Sequence, residues 1–188
     1  MMLSDYEIHE AHYAADIDIQ PFDSKYVQPA SYDVHLGSKL LLPEWPAARS
    51  QYVDPSQNDA PMREIDIPPH NEDIEKFYLA PGGVALGYTT EVVRLNPDVP
   101  IAADIAGCSS LGRCFLFVHV TAGFIDPGWS GQLTLELYNA SPWWLRLWAG
   151  MRIAQIRFYR MGRLSKRPYN VAGHYAGSVG PVESRYTS

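Results

Sequence analysis

Apolar and polar positions alternate along this chain with two different periods, and the change of period separates its parts. Near the start, Ser4 and Glu7 form an S-x-x-E pair ahead of Ile8, Ala11, Ala14 and Ala15, the three- and four-residue spacing of a short amphipathic helix opened by a capping box. Asp16-Ile17-Asp18-Ile19 then alternates residue by residue and is expected to be extended. From Ser31 to Leu42, Val34 and Leu36 alternate with Asp33 and His35 before the run Leu40-Leu41-Leu42, again the pattern of a strand. Residues 43 to 75 lose both periods. Pro43, Pro46, Pro55, Pro61, Pro68 and Pro69 among polar residues predict a long irregular excursion broken by short extended pieces, the most mobile part of the chain.

Beyond it, β-rich runs bounded by Gly, Pro, Asn or Asp recur at Val84–Leu95, Ile101–Ile105, Phe115–Val120, Leu133–Tyr138 and Arg152–Tyr159. Short strands at this spacing, without helices between them, predict an all-β sandwich or barrel. After Pro168 a stretch rich in Gly, Ser and Tyr has no period, and reads either as a frayed tail or as an arm that orders on a partner or ligand.

Composition narrows the class. The 188 residues suit a single domain, and 46% hydrophobic with 19% charged residues allows a sizeable core. A net charge of -6 excludes the broad basic footprint of a nucleic-acid binder, so any phosphate must be met locally. Cys108 and Cys114 are too few for a disulfide scaffold and fit a reducing compartment. No apolar run is long enough for a bilayer, and the opening MMLSDYEIHE carries acids where a leader needs an apolar segment. The expectation is a soluble, cytoplasmic protein with no nucleic-acid or membrane partner.

Chemistry-bearing residues gather in three places. Gly107-Cys108-Ser109-Ser110-Leu111-Gly112-Arg113 joins small residues, two hydroxyls and a guanidinium, a set that suits a polyphosphate and equally an ordinary polar turn. Asp126-Pro127-Gly128 is a tight turn that holds Asp126 either to cap the turn or to position a water. In Leu133–Tyr138, Thr134, Glu136 and Tyr138 alternate with leucines, so Glu136 points away from the core, into solvent or into a polar cleft. His9, His12 and Asp16 share a helix face, but His9-Glu10-Ala11-His12 is one residue short of H-E-x-x-H, and the cysteine spacing does not match the zinc deaminases. His119 is expected in an apolar strand as a hydrogen-bonded core histidine.

Taken together, Ala30-Ser31-Tyr32-Asp33-Val34-His35-Leu36-Gly37, Phe77–Gly82, Cys108–Arg113, His119–Asn139, Gly150–Phe158 and Arg167-Pro168-Tyr169-Asn170 resemble the dCTP deaminase branch of the dUTPase superfamily. The most specific stretch is H-V-T-A-G-F-I-D-P-G-W-S-G-Q-L-T-L-E-L-Y-N. The resemblance implies one domain over residues 1–188, a distorted jelly-roll-like β-sandwich of dUTPase type with a short N-terminal helix. It also implies a homotrimer with sites between subunits, and deamination without zinc. By resemblance, Glu136 is the general acid/base, Ser109 and Arg113 orient the water and the ring, and Ser110 with neighbouring backbone, including that of Leu111 and Gly112, holds phosphate. Asp126 contacts the sugar and serves a second water in the members that form dUMP. Thr134, Leu135, Gln155 and Tyr169 match base and nucleotide contacts, and Mg²⁺ accompanies the triphosphate.

Three positions depart from the family pattern. Cys108 stands where the motif has arginine, and His174 and Ser178 stand where relatives carry lysine and glutamine in an arm that closes over the phosphates. The stretch Ala122-Gly123-Phe124-Ile125-Asp126, with Gln155, resembles the dUMP-forming members, Gly123 leaving room for the second water. Trp143, Trp144 and Trp148 supply apolar surface for a subunit contact. A dUTPase-like hydrolase that leaves Glu136 idle, and a non-catalytic nucleotide-binding regulator, stay open on the sequence alone.

Overall fold

The structure is a computed structural model that describes residues 1–44, 53–57, 60–71 and 75–186. Much of the predicted 43–75 excursion, Pro46 included, and the mobility expected of it lie outside the described residues. The elements in chain order are α1 (Asp5–Tyr13), β1 (Ile17–Gln20), β2 (Val27–Gln28), β3 (Ser31–His35), β4 (Lys39–Pro43), β5 (Met62–Asp66), β6 (Phe77–Leu79), β7 (Val84–Leu95), β8 (Ile101–Gly107), α2 (Ser109–Gly112), β9 (Leu116–Phe117), β10 (Phe124–Ile125), β11 (Ser130–Asn139), β12 (Leu145–Leu147), β13 (Arg152–Arg160) and α3 (Tyr169–Ala172).

The capping box forms as expected. Ser4 is the N-cap, the Glu7 carboxylate accepts from the Ser4 N–H at 2.9 Å, and Ile8 and Ala11 are the residues α1 buries. One sheet runs β5-β4-β7-β11-β9 with β1 also on β7, a second runs β10-β8-β13-β3-β2, and β12 pairs β6. The named strand pairs are antiparallel. At twelve residues, β7 is long enough to take β11 along one edge while Leu41 of β4 and the whole of β1 share the other. Inward-facing residues of both large sheets, among them Leu133, Leu135 and Leu137 from β11 and Ile153, Ile156 and Phe158 from β13, enter a single buried cluster. The result is the all-β fold that the short, evenly spaced strands predict, and burying these apolar faces is its main driving force.

The stretch Ser31–Leu42 is not one strand. It breaks at Leu36-Gly37-Ser38, so β3 joins one sheet and β4 the other. The cause is non-local: the Tyr88 ring lies against Gly37 so closely that a Cβ there would fall 2.2 Å from its Cζ, and Gly37 N–H donates to Tyr88 O at 2.8 Å. The run Phe115–Val120 is likewise strand only at Leu116–Phe117. His119 therefore lies in irregular chain, and its Nδ1 is buried with no hydrogen-bond partner among the described residues, contrary to the expected hydrogen-bonded strand histidine. A bulge interrupts the β7–β11 pairing between Gln132 and Thr134. There the Thr89 hydroxyl accepts the Leu133 N–H at 3.0 Å and donates to Glu91 O at 2.8 Å, satisfying backbone groups that the ladder leaves unpaired.

Candidate active site

The alternation in β11 has the expected outcome. Leu133, Leu135 and Leu137 are buried, while Thr134 and Glu136 reach the opposite face and line a cleft of about 780 Å³ together with Asp126, Tyr169 and Tyr175. The Glu136 carboxylate is fixed by backbone. Its Oε2 accepts the Val120 N–H at 2.7 Å and the Thr121 N–H at 3.0 Å. Oε1 has no partner among the described residues and is free to accept a proton.

Asp126 enters the same cleft from the turn that precedes β11. Its backbone C=O accepts from the Trp129 N–H at 3.1 Å, and Gly128 sits at φ +80, the geometry that Pro at the second and Gly at the third position of a tight turn allow. The turn is thus closed by backbone, and the side chain does not cap it. Among the described residues the Asp126 carboxylate has no hydrogen-bond partner, so it is left to the cleft. Gly123 packs against the His119 imidazole, whose Nδ1 and Cε1 would lie 3.1 Å from an added Cβ.

The segment after Pro168 is an arm laid along its own chain. Tyr169 N–H donates to Pro127 O at 2.7 Å, and its ring sits 5.2 Å from that of Trp129. Burial pushes the Tyr169 hydroxyl above the usual tyrosine range, a trend opposed by the Tyr175 N–H that donates to its oxygen at 3.2 Å. Gln132 N–H donates to Ser178 O, and Gly177 N–H to Ser130 O. Tyr175, Glu183 and Ser184 of the arm line the cleft, and the sequence assigns none of them a site role; their one signal is the aperiodic Tyr- and Ser-containing stretch itself. Ser178 is buried with its hydroxyl donating to Tyr175 O at 2.5 Å. His174 is exposed, and its carbonyl accepts from Arg185 at 2.9 Å. Leu135 is a core residue, wholly buried.

The remaining candidates lie elsewhere on the chain. Cys108, Ser109, Ser110 and Gln155 line a second concavity of about 310 Å³ that shares no lining residue with the first. Gln155 is held across it, accepting from the Ser31 hydroxyl at 2.9 Å and donating to Gly107 O at 3.3 Å. Cys108 precedes α2, is buried, and has its thiol pushed up by that burial, so it stays protonated at neutral pH. Leu111 packs against the core and Gly112 ends α2. Arg113 follows, and its guanidinium has no ion-pair or hydrogen-bond partner among the described residues. Among the described residues no three His, Cys, Asp or Glu side chains form a group that could hold a metal ion. Asp16, expected on one helix face with His9 and His12, lies beyond the end of α1, and His12 stacks on Phe22 with centroids 3.9 Å apart.

The family model described as dCTP deaminase-like matches residues 2–161. A dUMP-forming dCTP deaminase of Bifidobacterium longum (strain DJO10A) is 42% identical to this chain, the match covering 98% of this chain and 94% of that protein. A protein of the same description from Clavibacter michiganensis subsp. michiganensis is 41% identical over 98% of this chain and 90% of its own length. Among solved structures, the 2′-deoxycytidine 5′-triphosphate deaminase from Agrobacterium tumefaciens is similar at a TM-score of 0.61 and 27% identity, covering 86% of this chain. This chain spans about half of that solved chain, 49% of it.

Proposed function

Because the chain belongs to the dCTP deaminase-like family, we propose that it hydrolyses dCTP to dUMP, first releasing ammonia from the cytosine ring and then pyrophosphate from the uracil nucleotide. The observation that carries this reading is the Glu136 carboxylate, anchored through one oxygen by two backbone N–H groups and open through the other toward a cleft that also holds Asp126. In the proposed first step Glu136 takes a proton from water as its oxygen attacks C4 of the cytosine. The same carboxyl group then returns the proton to the departing amino nitrogen, and the hydroxyl proton left on the adduct passes to N3, giving the uracil ring and ammonia. Activation of the water falls to this carboxylate, and no step is assigned to zinc. In the second step Asp126 orients a second water toward the α-phosphorus, and cleavage of the α–β bridge yields dUMP and pyrophosphate. Mg²⁺ enters as part of the substrate, bound to its phosphates.

The two concavities support a shared site. Ser109, Ser110 and Gln155 line one, Glu136, Asp126, Thr134 and Tyr169 line the other, and the chemistry requires both sets at one nucleotide. A homotrimer that sets one subunit's α2 region, with Arg113, over its neighbour's cleft would complete it. Phe115, Phe117, Trp143 and Trp144 are exposed and offer apolar surface for such a contact. Trp148 does not: it is half-buried against the core and meets the His70 ring edge-on at 4.8 Å. Both cysteines are free thiols, which suits a cytoplasmic setting, and no helix among the described residues is long and apolar enough to cross a membrane.

The reading is tested by incubating the protein with MgdCTP, MgdUTP and dCMP separately and resolving the products by chromatography. Conversion of dCTP to dUMP with stoichiometric ammonia and pyrophosphate is expected. Consumption of dUTP with dCTP returned intact would contradict it.

A further inference from the structure

The cleft that holds Glu136 is a poor place for a polyphosphate. Its described lining contains Asp126, Glu136 and Glu183 and no lysine, arginine or histidine, so a phosphate chain there would face like charge. The second concavity is built differently. Ser109 and Ser110 line it, and Arg152 is the one cation and Asp33 the one carboxylate among its described lining residues.

Arg152 belongs to β13 and is joined across the sheet to Asp33 of β3, Nη1 donating to Oδ2 at 3.0 Å. The pair is lopsided in exposure: the Asp33 side chain is 5% accessible and that of Arg152 is 52%. A guanidinium has five N–H donors, and Asp33 engages one nitrogen, so its outer edge faces the concavity while the buried carboxylate fixes its position. The adjoining Cys108 thiol is neutral and small, leaving Arg152 without a competing charge from that side.

Resting on the dCTP reading above, we propose that Arg152 recognises the phosphate chain of the nucleotide and that Asp33 acts as its counterweight, positioning the guanidinium while subtracting from the site's pull on an anion. The two halves of this ion pair then have opposite effects on phosphate affinity. A purely structural pair could not behave so, since loss of either member would loosen the same contact.

The test is calorimetric titration of the full chain with inorganic tripolyphosphate and with MgdCTP, comparing wild type, Arg152→Ala, Arg152→Gln and Asp33→Asn at low and high salt. Arg152→Gln keeps a hydrogen bond to Asp33 without the charge and serves if Arg152→Ala does not fold. Loss of the Arg152 charge is expected to weaken tripolyphosphate by about 10-fold or more, the scale of a charge-assisted contact, and to flatten the salt dependence. Asp33→Asn is expected to tighten it. In turnover, the Arg152 variants should raise KM for dCTP more than they lower kcat. Affinity moving the same way in the Asp33 and Arg152 variants, unchanged affinity in Arg152→Gln, or no tripolyphosphate binding by the wild type would overturn the proposal. Opposite shifts in a protein that fails to deaminate dCTP would retain the anion site and remove the deaminase reading.

Discussion

Val120 holds Glu136: its backbone N–H donates to the carboxylate Oε2 at 2.7 Å across sixteen residues of sequence, and Thr121 adds a second bond to the same oxygen. A carboxylate that accepts two backbone donors cannot rotate freely, so Oε1 is presented to the cleft in one direction. In the acid/base role proposed for it, this pre-setting would remove part of the reorganisation that a proton transfer otherwise requires.

Replacing this carboxylate separates position from chemistry. In Glu136→Gln the amide oxygen can still accept from Val120 and Thr121, so the thermal unfolding midpoint should stay close to that of the wild type. The amide cannot accept and return a proton, and kcat for dCTP should fall about 10²-fold or more. Near wild-type turnover in this variant, measured by ammonia release, would remove Glu136 from the acid/base role.

The arm depends on glycine at a crowded position. Gly131 has φ +148, and a Cβ there would lie 2.9 Å from Ser178 N and 3.0 Å from Ser178 O, both backbone atoms. Gly131→Ala should therefore undock residues 175–180 from β11 at a cost of about 1–3 kcal/mol, the range for a residue forced into a disfavoured conformation. Limited trypsin digestion, read by mass spectrometry, should show faster cleavage at Arg163, Lys166 or Arg185. A cleavage pattern identical to wild type would mean that the arm's docking does not depend on this glycine.

Alkaline stability should report Tyr32. Its ring is fully buried, and burial pushes its hydroxyl up to about 12 while the Asp23 N–H donates to it at 3.0 Å. With the folded value above the ordinary one, the unfolded chain releases this proton first. Stability is thus intact below about pH 10 and falls as pH rises toward about 12. Urea midpoints should drop across this window in the wild type and drop less steeply in Tyr32→Phe, with Tyr159 and Tyr169, also raised by burial, leaving some slope. An unchanged slope in Tyr32→Phe would contradict the assignment.

Local patterns in the sequence carried much of this. The S-x-x-E pair fixed the start of α1, and the leucine alternation put Glu136 on the cleft side of β11, because each depends on residues a few positions apart. What escaped was set by distant partners. Tyr88 against Gly37 divides Ser31–Leu42 between two sheets, and Thr89 repairs the bulge opposite Leu133. Asp33 meets Arg152 from 119 residues away, so neither could be read as part of a pair. The candidate site was legible as residue types, but its division into two concavities was not, since no spacing along the chain encodes which faces α2 and β11 occupy.

That division gives the most direct measurement. Glu136→Gln and Arg113→Ala chains, each expected to be inactive alone, are to be co-expressed with different affinity tags, and oligomers carrying both tags purified and assayed for ammonia release from dCTP. If Arg113 of one subunit serves Glu136 of the next, some sites in the mixed oligomers are wild type in both residues. A trimer that carries both chains has one such site in three, so activity should return to about a third of the wild-type value. Mixed oligomers as inactive as the two parents, beside an active wild type, would show that the site is not shared between subunits.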